Sequence, residues 1–304
     1  MTADNPNFLA STHNLTGVGG VQSLRFTYQD HLVVAQNSGL DGLEVAPTRR
    51  IQHQILSGIL TDEEISVAKA GGQSFRSERY VTGMLSAILK DPVRAKLYLG
   101  AFLMYPHITA SNASLRVLQN RSPEIPILLQ DSHQLKGTQG LKNRVLIVTP
   151  DSFEDLGVTK VRDIAPRAEK IGFDGGLCLD PFQLRRPNKD GEFSLLADWQ
   201  RTIPGLWNEA RIVHLSLGRD DLRSGVDLHM ELVDMSTPRS DTEIGGIVRL
   251  LGEQYQRTSN HPDIVFQIPY SGVARLLGKT VVTRPDVESV ASKVLQNTKI
   301  MMGL

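Results

Sequence analysis

The chain has a single cysteine, Cys178, among its 304 residues. One thiol excludes an intramolecular disulfide and a cysteine-rich zinc site, and it fits a reducing compartment. Cys178 lies inside an apolar run, where a small buried packing residue is expected rather than a nucleophile. An excess of one charge is also missing: 33 Lys and Arg balance 33 Asp and Glu. Proteins that grip a duplex nonspecifically carry a basic footprint, so bulk charge argues against nucleic acid and leaves room only for a local patch. Tryptophan is scarce, and Trp199 and Trp207 read as packing residues. No stretch approaches the ~20 apolar residues that span a bilayer. The longest run, Ala95–Tyr105, is interrupted by Lys96 and bounded by Pro106, and is expected to form a buried helix. The N-terminus lacks the positive region and apolar core of a secretory signal. Residues 1–20 read as a polar arm ahead of one domain over 21–304, and the default location is the cytoplasm.

Several motifs are absent as well. No G-x-G-x-x-G follows a strand, because Gly17-Val18-Gly19-Gly20 precedes the first strand expected and has the wrong spacing. Gly278-Lys279-Thr280 fails as a phosphate loop, since the nearest upstream glycine, Gly272, stands one position too far away. No G-x-S-x-G elbow supports a hydrolase triad.

What is present is an alternation of β-rich runs and helical patterns. Strands are expected at Val21–Phe26, Gly42–Ala46, Gln73–Arg76, Ile125–Leu129, Arg144–Val148, Gly175–Leu179, Arg211–Leu215 and Ile264–Ile268. Helices are expected at Tyr28–Gln36, from the Thr61–Glu64 capping box to Gly71, and at Val161–Ile171, Leu195–Ile203, Asp241–Thr258 and Pro285–Asn297. The link between the fourth and fifth strands is too short for a full covering helix. Strand and helix repeating at this spacing predict a parallel α/β sheet. About eight strands over this length favour a closed (β/α)8 TIM barrel, irregular around strands three to five.

Parallel strands of a barrel deliver the residues at their C-terminal ends to one shared mouth, where such folds place their chemistry. Two apolar runs here end on polar groups, GGLCLD on Asp180 and ARIVH on His214, 34 residues later. A charge at such an end must reach solvent, pair, cap a helix or bind a cation. Asp227 and His229 follow as a D-x-H pair, whose side chains in an extended stretch point the same way. Imidazole with carboxylate suits Zn²⁺, Mn²⁺ or Fe²⁺ better than Mg²⁺ or Ca²⁺. Asp180, His214, Asp227 and His229 are therefore the candidate metal ligands. Arg185, Arg186 and Arg219 read as solvated loop charges or as contacts for a phosphate or carboxylate.

On these strings the chain resembles the xylose-isomerase-like TIM-barrel superfamily, which includes sugar-phosphate isomerases and epimerases and endonuclease IV. The resemblance covers Val21–Ala46 and Arg144–Pro269. Its sixth strand commonly ends in L-x-L-D-x-x-H, matched by Leu177–Gln183 with glutamine in place of histidine. Its seventh ends in V-H-L, matched at Val213–Leu215, and Asp227-Leu228-His229 matches a D-x-H of endonuclease IV. GLEVAPTR, Gly42–Arg49, looks like the second-strand end of the sugar-isomerase branch, which implies that Glu44 and Arg49 face the mouth. Two departures stand out. The metal-bridging glutamate implied for strand five falls near Thr149, with Asp151 the nearest carboxylate, and the one for strand eight falls on Gln267. Of three expected carboxylates only Asp180 survives, which implies a weakened, rearranged or lost metal site.

The resemblance thus implies a sugar or sugar-phosphate isomerase or epimerase. Its metal would polarise a carbonyl while Glu44 or Asp151 moves the proton, with Arg49, Gln183 and Gln267 on the substrate. A barrel retained as a catalytically inactive binding or regulatory module is the alternative. A metal-dependent endonuclease is a third reading, disfavoured by the neutral charge and by His53 and His107 lying outside any strand-end context.

Overall fold

The computed structural model describes residues 6–11, 28–45, 98–103, 124–130, 132, 134–138, 140–184, 190–216, 243–268, 273–274 and 276–304. In chain order these form β1 (Phe8–Ser11), α1 (Tyr28–Asn37), β2 (Gly42–Val45), β3 (Tyr98–Leu103), β4 (Ile127–Leu129), α2 (Gln134–Gly137), β5 (Arg144–Ile147) and α3 (Ser152–Leu156). There follow α4 (Ile164–Ile171), β6 (Leu177–Leu179), α5 (Pro181–Leu184), α6 (Trp199–Leu206), β7 (Ala210–Ser216), α7 (Glu243–Arg257), β8 (Asp263–Gln267) and α8 (Arg284–Met302). Every neighbouring pair of strands runs parallel in sequence order, and β1 pairs with β8, so the sheet closes on itself. Helices come after β1 and after each of β4 to β8, whereas the segments linking β2 to β3 and β3 to β4 fall largely outside the described residues.

Closure sorts the side chains into two cores. Residues two apart on a strand share a face, and both faces of a closed parallel sheet are covered, which is why the strands read as continuous apolar runs. Leu9, Leu128, Val145, Ile147, Cys178, Ile212 and Val265 form a cluster enclosed by the strands. Their neighbours Phe8, Ala10, Ile127, Leu129, Leu146, Leu177, Leu179, Val213, Ile264 and Phe266 belong to the second cluster, packed with the helices. Two glycines permit close approaches that a side chain would block. Gly176 stands at φ +93 before β6, where a Cβ would lie 2.7 Å from the Glu209 carbonyl, and a Cβ on Gly252 of α7 would lie 2.5 Å from the Met302 carbonyl of α8. The α8 N-terminus is a capping box: Thr283 caps the backbone of Asp286, whose side chain reaches back to the Thr283 N–H.

Strands four to eight, and the helices expected after them, stand where the sequence places them to within a few residues, while the short α3 and α5 are additions. Two expectations are corrected. Residues 8–11, expected within a polar arm, form β1 and are buried between β2 and β8. The Ala95–Tyr105 run, expected as a buried helix, contains β3. The Val21–Phe26 and Gln73–Arg76 strands and the helix after Thr61 lie outside the described residues. The fourth covering helix is reduced to the four residues of α2, in line with its short link. Trp199 and Trp207 pack, as expected. Trp207 is buried edge-on to Tyr255, and its indole N–H donates to Thr258 Oγ1 and to the Asn260 carbonyl. No described helix is long and apolar enough to cross a membrane.

Candidate active site

The seam β7–β8–β1–β2 brings four polar strand residues together. Ser11 faces Glu44 in the β1–β2 register, and Ser216 faces Gln267 in the β7–β8 register, two residues beyond the pairing of His214 with Val265. Leu9, Ile212 and Val265 lie in the enclosed cluster, so Ser11, His214 and Gln267, each two residues further on, rise one layer toward the C-terminal mouth.

These residues bond to one another. Ser11 Oγ donates to Glu44 Oε1 at 2.6 Å, and His214 Nε2 lies 2.6 Å from Glu44 Oε2. Gln267 Nε2 lies 3.0 Å from His214 Nδ1. None of the four is more than 4 % exposed. An amide nitrogen only donates, so in the neutral imidazole Nδ1 holds the lone pair and Nε2 carries the proton toward Glu44. From β6, the Cys178 thiol interacts electrostatically with the imidazole. Burial disfavours a charged imidazole here, but Cys178 and the Glu44 carboxylate outweigh it and raise the His214 pKa well above its ordinary value. Burial also pushes the Cys178 thiol up, against a smaller opposing pull from His214. A thiol raised in this way is a poor nucleophile.

Asp180 follows another course. Its Oδ1 accepts from the backbone N–H groups of Phe182 and Gln183, at 3.1 and 3.0 Å, and its carbonyl accepts from Leu184 N–H. It starts α5, the helix-cap role that a carboxylate at a strand end can take. Gln183 stands half-buried in that helix. Asp151 occupies the N-cap position of α3 without a side-chain cap bond. Thr149, where the resemblance implies a metal-bridging glutamate, donates its backbone N–H to Ser152 Oγ at 2.8 Å. Arg49, Asp227, His229, Arg185, Arg186 and Arg219 lie outside the described residues.

The described donor atoms around His214 are engaged within the protein. Both ring nitrogens are engaged by Glu44 and Gln267, one Asp180 oxygen caps α5, and Gln267 brings an uncharged amide. Among the described residues no group of three or more His, Cys, Asp or Glu could hold a metal ion. Two participants escape the sequence reading. Ser11 falls within the segment that reads as an arm, although FLAS ends an apolar run on a polar residue as the other strands do. Cys178 reads as packing alone, although it stands two residues before Asp180.

No protein-family model matches the chain, and no curated protein does. Two solved structures are similar at low identity. One is a D-psicose 3-epimerase from Clostridium cellulolyticum H10, solved with D-tagatose: 11% identity, TM-score 0.45, covering 97% of this chain and 99% of that one. The other is a glycerol dehydrogenase from Gluconobacter oxydans: 13% identity, TM-score 0.37, covering 98% and 97%. Likenesses this distant say nothing of the chemistry, which rests on the site itself.

Proposed function

We propose that the barrel mouth is a proton-transfer site for a sugar or sugar phosphate, an isomerase- or epimerase-type centre in a complete (β/α)8 barrel that works through Glu44 and His214. The observation that carries this reading is the buried 2.6 Å contact between the two, braced by Ser11 and Gln267. A carboxylate is a competent base for a carbon-bound proton made acidic by a neighbouring carbonyl. Glu44 takes that proton, and the C–H electron pair enters the enediolate. Returning the proton to the former carbonyl carbon, while the neighbouring hydroxyl proton passes to the former carbonyl oxygen, gives the isomer. The epimer requires a proton delivered to the opposite face of the first carbon by a second acid or by solvent. His214 Nε2–H holds the carboxylate in place and serves as a donor to an oxyanion developing beside it. The substrate class is supported by the likeness of Gly42–Arg49 to the second-strand end of sugar isomerases, and Arg49 would meet a phosphate there.

A second reading has its own support. Both Glu44 oxygens and both His214 nitrogens are held within the protein, as in a polar layer that fixes a non-catalytic binding barrel. One experiment separates the two. Chelator-treated protein is incubated in D2O with a panel of aldoses, ketoses and their phosphates, and deuterium is read at the carbon beside the carbonyl. The proton-transfer reading expects exchange with at least one compound, reduced about 10²–10⁴-fold in Glu44→Gln. No exchange with any compound would leave the binding module, and exchange only after metal is added would favour a metal site completed by Asp227 and His229.

A further inference from the structure

The residue on the far side of His214 from Glu44 is an amide, not an acid, and the choice has chemical consequences. Gln267 is 4 % exposed at the end of β8, and its Nε2 is 3.0 Å from Nδ1. A glutamate there could only accept, which would draw a proton onto Nδ1. A hydrocarbon would offer Nδ1 nothing, at a cost for a buried ring nitrogen. An amide nitrogen donates to the Nδ1 lone pair and leaves the single proton of the neutral ring on Nε2, pointing at Glu44 Oε2.

We propose that Gln267 is a positioning residue that sets the tautomer and ring orientation of the neutral His214 imidazole, so that its one proton faces Glu44. The proposal rests on the proton-transfer reading of the site for its purpose, but its geometry stands without a substrate. Neighbours from every strand of the seam agree with it. Ser11 holds Glu44 Oε1, which leaves Oε2 for the imidazole. Ser11 and Gln267 thus grip the Glu44–His214 pair from its two outer ends. Cys178 of β6 interacts electrostatically with the ring and is, among the described residues, the rival for control of the tautomer. The same arrangement accounts for the amide at the position where the resemblance implies a metal-bridging acid. An imidazole with its proton on Nε2 and its lone pair taken by an amide has no nitrogen to give to an ion.

The test is ¹⁵N NMR of the histidine rings in folded, substrate-free protein above the His214 titration, with His214 assigned by its loss in His214→Gln. The expected wild-type signature is a protonated, pyrrole-like Nε2 and an unprotonated Nδ1. Gln267→Glu should move a proton onto Nδ1, and Gln267→Met, apolar and close in size, should lose the single ordered tautomer. Cys178→Ala should leave the wild-type pattern in place. A proton on Nδ1 in the wild type, an unchanged ring in Gln267→Glu and Gln267→Met, or inversion in Cys178→Ala instead would each overturn the proposal. Because no substrate is present, the signature can hold even where no sugar exchanges deuterium. If deuterium exchange is found, Gln267→Met should lower kcat with KM little changed, since it alters the proton's placement and not a substrate contact.

Discussion

Within the barrel two layers sit one above the other on the same strands, and they could hardly differ more. The lower is Leu9, Leu128, Val145, Ile147, Cys178, Ile212 and Val265, a dry cluster closed by the strands. Two residues further along β1, β7 and β8 stand Ser11, His214 and Gln267, which with Glu44 of β2 form a hydrogen-bonded polar layer as inaccessible as the apolar one. Burial therefore does not distinguish them. Partnering does, because a buried polar group costs free energy unless it is bonded, and this layer supplies those bonds internally. The lower layer is apolar, and the upper one is held together by hydrogen bonds.

Substitutions in the two layers should separate these roles. The largest effect is expected from Glu44→Ala, which strips His214 of its acceptor and leaves Nε2 of a buried imidazole without that partner. Breaking a buried pair costs about 3–5 kcal/mol, and denaturant unfolding should show a loss in this range along with the loss of any deuterium exchange. Leu128→Ala in the lower layer should cost about 2–5 kcal/mol through the cavity it leaves. Its surviving folded fraction should exchange deuterium at the wild-type rate per molecule. If the two variants lost stability and exchange in parallel, the division between layers would fail.

The smallest effect lies outside both layers, at the start of α8. The Lys279 ammonium, with the Thr283 hydroxyl and N–H, holds the Asp286 carboxyl at about 2, below its usual 3.8. A folded-state value below the unfolded one gives stability that is present above the unfolded value and is lost as pH falls. Acid titration should therefore show a small decline between about pH 4 and 2 that disappears in Asp286→Asn. A similar loss in the variant would place its origin elsewhere.

Much of the fold was legible because its signals are local. β5 to β8 are short runs rich in Val, Ile and Leu between turn residues, and Thr283 with Pro285 marks the start of α8. The failures were also local. Four residues, FLAS, are too few to stand out from polar surroundings, and YLGAFL has no polar residue to distinguish a two-residue from a 3.6-residue period. At the site, the strand-end positions of Asp180, His214 and Gln267 could be read one by one. Their partners could not. Glu44 and His214 are 170 residues apart and meet only because β1 pairs with β8, and no motif spacing encodes that closure. Asp180 could equally have ligated an ion or started a helix. The α5 backbone, with two N–H groups aimed at Oδ1, shows the helix start.

In the proposed proton-transfer site the His214 imidazole is engaged by Glu44 and Gln267 and not by an ion. Elemental mass spectrometry of wild type and His214→Ala, both purified without chelator and checked for folding, tests it directly. The account predicts no Zn, Mn or Fe near one per chain that depends on His214. A near-stoichiometric metal in the wild type that falls in the variant would contradict it, and would move the site's chemistry from a shared proton to a Lewis acid.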